Sequence, residues 1–232
     1  MTKRAAKAVA HYWQTRAAQR QKQESGGKAD QGSRNAVTGG AQIDGFIDLF
    51  SETITRAGIP ERFIFRTAEL PGFFRPTTVW DLIVVRDHRL IAAINARSQA
   101  GPSFRDNYDS NTEEAMGNAL DFCAAYRQEA YLDIAQPFLG YFFMLEDCDA
   151  FNQPVGVQEP HFKILPEYDG ASYMRRHELF CRKLVLDRYY SAAAFITSTS
   201  AGGLHGEFRT PAEAPSFARF AKILAAHASV WA

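Results

Sequence analysis

The chain has 232 residues, of which 46% are hydrophobic and 22% are charged, and its 26 basic side chains balance its 26 acidic ones. This is an ordinary composition for a globular protein of one or two domains, and the balanced charge argues against non-specific avidity for nucleic acids. No apolar run reaches the ~20 residues that span a bilayer, and the first residues lack the apolar core of a signal peptide. The three cysteines show no metal-ligand spacing, so we expect a reduced, cytoplasmic protein.

Positive charge is concentrated near the start of the chain. Residues 1–34 hold eight basic and two acidic side chains. Residues 3–23 lack Gly and Pro and predict a helix, and the glycine-bearing residues 25–42 predict a flexible loop. A basic arm on an acidic body suits contact with phosphates, although a solvated helix explains the same charges without DNA. We therefore divide the chain into a basic helix and loop, residues 1–42, and one main domain, residues 43–232.

The main domain begins with a helix and a short strand. Apolar residues from Ile43 to Ile54 recur at helical spacing, and Gly58 is a stop signal. The aromatic and β-branched segment 63–65 predicts a short strand, which Pro71 and its neighbours end.

A β-hairpin is predicted next, and its few polar residues are the first candidates for chemistry. Two β-branched runs, residues 78–85 and 90–99, flank a short polar break. Asp81 lies inside the first strand. Asn95 and Arg97 lie in the second strand and project from one face, because side chains alternate with a period of two.

The turn decides whether Asp81 joins Asn95. A three-residue turn at 87–89 places Asp81 opposite Asn95, on the same face of the hairpin. A two-residue turn places Asp81 opposite Ile94, on the other face. We predict the three-residue turn, because a buried carboxylate without partners is costly.

A polar loop, residues 98–111, and a helix, residues 112–127, follow the hairpin. Asn111 is a typical N-cap and Glu114 then falls at the third helical position, so capping is the simplest explanation of Glu114. Glu113 lines up at helical spacing with Gly117, Leu120 and Ala124, which are expected to face the sheet. It is therefore expected to point back towards the hairpin, although a carboxylate that stabilises the helix dipole explains it equally well.

Two strands and two helices complete the domain. Residues 138–145 are apolar on both faces, as in a central strand, and residues 192–197 form another buried strand. Residues 173–188 predict a basic helix and residues 213–230 an amphipathic one. This order predicts an α/β fold, with a mixed central sheet flanked by helices.

The hairpin resembles the signature of PD-(D/E)XK nucleases, in which one strand carries an acid and the next ends in acid-x-Lys. With four further segments, the chain is similar to the XhoI family of type II restriction endonucleases from about Gly39 to about Ala194. These segments are Arg75-Pro76-Thr77, Ser98-Gln99-Ala100-Gly101-Pro102-Ser103-Phe104, Thr112-Glu113-Glu114-Ala115-Met116-Gly117 and Glu159-Pro160-His161-Phe162. The resemblance implies a restriction-endonuclease-like core in residues 43–232. It also implies a homodimer that makes Mg²⁺-dependent double-strand cuts at a CTCGAG-type palindrome, as part of a restriction–modification system.

The chain departs from the family at the catalytic motif. Where the family has Glu-x-Lys, this chain has Asn95, Ala96 and Arg97, so only Asp81 of the three catalytic side chains is kept. The expected Mg²⁺ ligands are Asp81, Asn95, the main-chain carbonyl of Ala96, and Glu113 as a substitute acid. Arg97 keeps the positive charge and is suited to holding a phosphate, but it cannot shed a proton as Lys can.

Residues near the motif are candidates for DNA contact. Arg and Asn form bidentate bonds to guanine and adenine in the major groove, and basic helices follow the backbone. The residues alone favour a surface loop with turn-forming Asn and Asp, whereas the resemblance favours DNA contact. The candidates are Gln99, Arg105, Asn107, Asn111, Arg175 and Arg176. Two functions remain open: a restriction endonuclease, or an inactive homologue that binds duplex DNA without cutting.

Overall fold

The computed structural model describes residues 2–25, 40–101, 104–131, 136–159 and 161–232. In these residues, one five-stranded sheet has the order β1-β2-β3-β4-β5. Strands β1, β2 and β3 are antiparallel neighbours, and β3, β4 and β5 run parallel. The strands are β1 (Ile64–Pro71), β2 (Thr77–Arg86), β3 (Arg89–Gln99), β4 (Phe138–Glu146) and β5 (Ala192–Ser198).

Helices cover both faces of this sheet. The longer helices are α1 (Thr2–Ser25), α2 (Asp44–Arg56), α3 (Phe104–Arg127), α4 (Tyr173–Leu186) and α5 (Phe217–Ser229). On one face, α1, α2 and α5 pack in a cluster that includes Phe46, Phe142 and Phe220. On the other face, α3 and α4 pack in a cluster that includes Phe122 and Phe143. The predicted mixed sheet flanked by helices is confirmed, and no described helix is long and apolar enough to cross a membrane.

The hairpin turn differs from the prediction, but the register does not. The turn has two residues, Asp87 and His88, with φ of 50° and 62°, so the three-residue turn is wrong. A β-bulge between Val84 and Val85 then shifts the register by one residue and pairs Leu82 with Ile94. This is the register that a three-residue turn gives, because a bulge adds one residue to one strand.

The predicted polar loop after the hairpin is largely helical. Strand β3 continues to Gln99, and α3 begins at Phe104 rather than at residue 112. Asn111 therefore lies inside the helix, so its predicted N-cap role is wrong and Glu114 is not at the third helical position. Tertiary packing explains the early start, since the Tyr108 ring lies 4.9 Å from the His177 ring and 5.9 Å from the Tyr173 ring, measured between centroids.

Helix α1 is confirmed, and it packs into the body of the protein. Its Trp13 is buried and donates a hydrogen bond from Nε1 to Ser198 Oγ, at 3.0 Å, at the end of β5. Gly203 lies against the same indole ring, and Gly206 lies against the backbone of Ala6. Most of the predicted flexible loop, residues 26–39, lies outside the described residues.

Replacing Gly203 by Ala is expected to lower the free energy of unfolding by about 1–3 kcal/mol. The added Cβ would overlap the Trp13 indole and lie 2.6 Å from Ser198 Oγ, so α1 would have to shift. Urea unfolding followed by circular dichroism measures the change. Gly156→Ala is the control, because nothing lies within 4 Å of a Cβ added there. Equal stabilities of the two variants would contradict the tight contact of α1.

Candidate active site

A cleft opens beside the C-terminal end of β3. Its volume is about 530 Å³. The floor is formed by Asp81 of β2 and residues 96–100, while α3 forms one wall and α1 contributes Arg16 to the other. The C-terminal ends of parallel strands are a common place for ligand sites, because helices and loops diverge there.

Asp81 faces the end of β3. Its Oδ2 accepts hydrogen bonds from the Ala96 backbone N–H at 2.8 Å and from Arg97 Nη1 at 2.6 Å. Burial raises the pKa of Asp81 above its ordinary value, while the Arg97 charge and the Ala96 N–H oppose that rise. The carboxylate is therefore held in place at the floor of the cleft by β3 itself.

Arg97 joins two acids from different elements. Its guanidinium bonds Asp81 through Nη1, and it bonds Glu114 of α3 through Nε, at 3.2 Å, and through Nη2. Burial alone lowers the pKa of Arg97, but the charges of Asp81 and Glu114 outweigh it and raise that pKa. Arg97 is consequently a permanent cation and is excluded as a general base.

Asn95 lies on the same face of β3 as Arg97, but its side chain is bonded to Tyr190 rather than to these charged groups. It is 1% exposed, and its Nδ2 donates to the Tyr190 hydroxyl at 3.2 Å. Tyr190 in turn donates to the Ala115 carbonyl of α3 at 2.9 Å. The Asn95 Oδ1 is buried and has no hydrogen-bond partner among the described residues. This unsatisfied oxygen is costly to bury, and it belongs to the residue at the position where the resemblance predicts a carboxylate.

The acid that α3 brings to the cleft is Glu114. Glu113 is exposed, and the residues predicted to share its inward face include Leu120, which is 44% exposed. The buried face of α3 instead carries Ala115 and Phe122. The prediction that Glu113 faces the sheet is therefore wrong. The two residues are about 100° apart on the helix, so a small error in helical phase exchanges them.

Oxygens from three residues surround the Arg97 guanidinium. Arg97 Nη1 lies 2.6 Å from Asp81 Oδ2 and 3.1 Å from the Ala96 carbonyl oxygen, and Glu114 bonds the same guanidinium. Two carboxylates and a carbonyl are a suitable donor set for a hard cation such as Mg²⁺, provided that the guanidinium moves aside. Across the part of the chain that the structure describes, no three His, Cys, Asp or Glu side chains form a metal-ligand group.

The DNA-contact candidates fall into two groups. Gln99, Asn107 and Asn111 line the cleft. Arg105 is on the same helix as the two asparagines, but its side chain is 81% exposed. Its Nε lies 3.6 Å from Asp109 Oδ2.

Arg175 and Arg176 are engaged within the protein. Arg175 bonds Glu178 and Glu213, at 2.7 and 2.8 Å. Arg176 donates to the Ala171 and Val155 carbonyls. A role for either arginine in DNA contact would require these bonds to be exchanged, and it stays a prediction.

Gln99 is fixed by a buried histidine. His177 Nε2 lies 3.1 Å from Gln99 Oε1, and the imidazole stacks on the Phe143 ring with centroids 4.2 Å apart. Burial lowers the pKa of His177 to about 3, so the imidazole is neutral at physiological pH. The amide orientation of Gln99 at the cleft is thus set by α4.

Several of the cleft residues were not assigned to the site from the sequence. They are Arg16, Gln42, Thr67 and Glu114. The concentration of positive charge in the first helix was the only signal for Arg16, and nothing in the sequence indicated which face of that helix meets the sheet. Glu114 lies in the segment from Thr112 to Gly117 that resembles the family, but from the sequence it was assigned a role in helix capping.

Comparison with known proteins gives a consistent result. The family model described as restriction endonuclease XhoI matches residues 22–210. The type II restriction enzyme BstVI of Geobacillus stearothermophilus is 43% identical over 198 residues, which cover 82% of this chain and 88% of that enzyme. The type II restriction enzyme XhoI of Xanthomonas vasicola is 35% identical over 182 residues, or 77% of this chain and 73% of that enzyme.

A third relative agrees with these two. The type II restriction enzyme AbrI of Azospirillum brasilense is 40% identical over 164 residues, covering 69% of this chain and 73% of that enzyme. No solved structure matches the chain at a significant level. With the mixed sheet and the cleft at the hairpin, these matches confirm the resemblance seen in the sequence: the chain belongs to the XhoI family of type II restriction endonucleases.

Proposed function

We propose that the protein makes Mg²⁺-dependent, site-specific double-strand cuts in DNA at a CTCGAG-type palindrome. It acts as a homodimer, because a two-fold symmetric target is matched by a two-fold symmetric protein. We place it in the cytoplasm, as the nuclease of a restriction–modification system. The observation that carries the proposal is the contact of Asp81 and Glu114 with Arg97 in a cleft that four amide side chains also line.

Asp81, the Ala96 carbonyl and Glu114 are the groups that would hold Mg²⁺. When bound, the ion neutralises charge on the scissile phosphate and makes hydroxide available near neutral pH. Glu114 supplies the second carboxylate in place of the family's acid at position 95, which is Asn in this chain. In this assignment, α3 supplies the carboxylate that the family's motif places on β3.

Arg97 binds the phosphate that is cut. Its planar fork makes two hydrogen bonds to a phosphate group as readily as to a carboxylate. An incoming phosphodiester competes with Asp81 and Glu114 for the guanidinium, so substrate binding and release of the two carboxylates are linked. Asn107 and Asn111 line the cleft on the same helix as Glu114, and we assign to them the contacts with base edges of the bound strand.

A second candidate function is DNA binding without cleavage. The Arg97 guanidinium lies between the oxygens of Asp81, Ala96 and Glu114, and Asn95 lacks a charge. If the guanidinium stays there when DNA binds, Mg²⁺ has no place, and the protein recognises duplex DNA without cutting it.

Cleavage of a plasmid with one CTCGAG site tests the proposal. We expect the purified protein to linearise this plasmid in Mg²⁺ or Mn²⁺, and to leave it intact in EDTA. A plasmid whose site carries one changed base pair is the matched control. Binding of the CTCGAG duplex without cutting in either metal would support the second function. Absence of both binding and cutting would contradict both functions.

A further inference from the structure

Arg16 of α1 reaches the cleft from the wall opposite α3. It lines the same cavity as Asp81, Arg97 and Glu114. Its Nη2 donates to the Ala100 carbonyl over a long distance of 3.4 Å, and its guanidinium lies 5.9 Å from the centre of the Tyr12 ring. Arg16, which is distant in the sequence, therefore lies beside the end of β3.

The guanidinium of Arg16 has unused hydrogen-bonding capacity. Its Nε is buried and makes no hydrogen bond within the described part of the chain. Arg4, on the same helix, is paired with Glu52, and Arg97 is paired with Asp81 and Glu114. Arg16 makes no such pair with a carboxylate in the described ranges. A half-buried cation with an unsatisfied N–H is costly unless it has an anionic ligand.

We propose that Arg16 binds a backbone phosphate of the DNA strand that occupies the cleft. A phosphate oxygen can accept from both Nε and an Nη, which would satisfy the buried N–H and give the cation an anion. The contact is independent of base sequence, since phosphates are the same at every position. This inference rests on the proposed function, because it requires duplex DNA as the ligand.

The side chain is held ready for such a contact. Tyr12 and Trp13, on the preceding turn of α1, are buried, and Trp13 is bonded to Ser198. The guanidinium also lies against Gly101, where an added Cβ would be 3.9 Å from Nη2. Little conformational freedom is lost on binding when the helix and the side-chain position are already fixed. Arg16 would then contact the DNA strand from one wall of the cleft, and Asn107 and Asn111 of α3 would contact it from the other wall.

The test measures duplex binding as a function of salt, in EDTA, for the Arg16→Gln variant. We expect the affinity to fall on the order of tenfold, equally for target and non-target duplexes. We also expect the slope of log affinity against log salt to become shallower by about 0.9, because one fewer counterion is released. Fluorescence anisotropy with labelled duplexes supplies both quantities.

Lys7→Gln is the matched control. Lys7 is exposed, carries the same charge and lies on the opposite side of α1, two and a half turns away. Its replacement should leave the slope unchanged. Arg16→Lys keeps the charge but loses the fork, so it should keep the slope and weaken binding several-fold. This variant also tests the inference if Arg16→Gln fails to fold by circular dichroism.

The outcomes separate the inference from the proposed function. If the wild-type protein does not bind duplex DNA, the proposed function fails. If the wild type binds while Arg16→Gln keeps the wild-type slope and affinity, the phosphate contact is overturned. If Arg16→Gln does not fold and Arg16→Lys binds as tightly as the wild type, the contact is overturned as well.

Discussion

Replacing Glu114 by Gln is expected to reduce Mg²⁺-dependent cleavage on the order of 10²-fold while DNA binding in EDTA stays close to that of the wild type. Glu114 and Asp81 are the two carboxylates that meet at Arg97, and a neutral amide is a weaker ligand for a hard cation. Cleavage of plasmid DNA gives the rate. Titration of Mn²⁺ into the protein–DNA complex, followed by electron paramagnetic resonance, gives the metal affinity, which should fall in parallel.

Glu113→Gln is the control for this prediction. It removes the same charge from the neighbouring position of α3, where the side chain is exposed. We expect cleavage and Mn²⁺ affinity to stay within about twofold of the wild type, because Glu114, and not Glu113, bonds Arg97 and lines the cleft. If Glu113→Gln loses cleavage and Glu114→Gln keeps it, the assignment of the acid to Glu114 is refuted.

The double substitution Asn95→Glu/Arg97→Lys is expected to raise cleavage by about 10²-fold or more over the wild type. It restores a carboxylate to the buried position where Asn95 Oδ1 has no partner. It also replaces a guanidinium that holds both Asp81 and Glu114 with a compact ammonium, which can bond them less completely. Mn²⁺ affinity of the protein–DNA complex should rise with the cleavage rate.

Single substitutions separate the effect of the guanidinium at position 97 from the effect of the missing carboxylate at position 95. Arg97→Lys alone tests whether the guanidinium limits metal binding, and Asn95→Glu alone tests whether the missing charge does. Asn95→Glu should also lower the thermal midpoint, because a larger and charged side chain replaces an amide that is bonded to Tyr190. A double variant that neither cuts faster nor binds Mn²⁺ more tightly would show that the altered motif is not what limits activity.

The sequence was sufficient for the sheet and for part of the site. Apolar periodicity identified the strands, because each central strand is buried along its length, as β4 and β5 are. Asp81 and Arg97 were found because charged residues are rare inside such strands. The register of the hairpin was also predicted, although by a turn of the wrong length, since a bulge has no reliable sequence signal.

The errors have a common cause in tertiary packing. Helix α3 begins among Asn, Asp and Ser residues that favour caps and turns, and contacts such as that of Tyr108 with His177 outweigh this preference. The wrong start of the helix assigned a capping role to Glu114, and an error in helical phase assigned the inward position to Glu113. Arg16 was beyond reach for a similar reason, because the face that α1 turns to the cleft depends on residues near Ser198.

The contact between α1 and the end of β5 also bears on the order in which the protein is made. The hydrogen bond from Trp13 to Ser198 joins residues 185 positions apart, so α1 is synthesised long before this part of its packing surface, whereas α2, which it also packs against, follows it closely in the chain. Contacts of such sequence separation form late, because a large loop must close first. Arg16 lies about one turn from Trp13, so the contact with Ser198 supports its place in the cleft only after Ser198 has been translated. Incomplete chains that stop before Ser198 therefore lack this anchor of α1 while they are still on the ribosome.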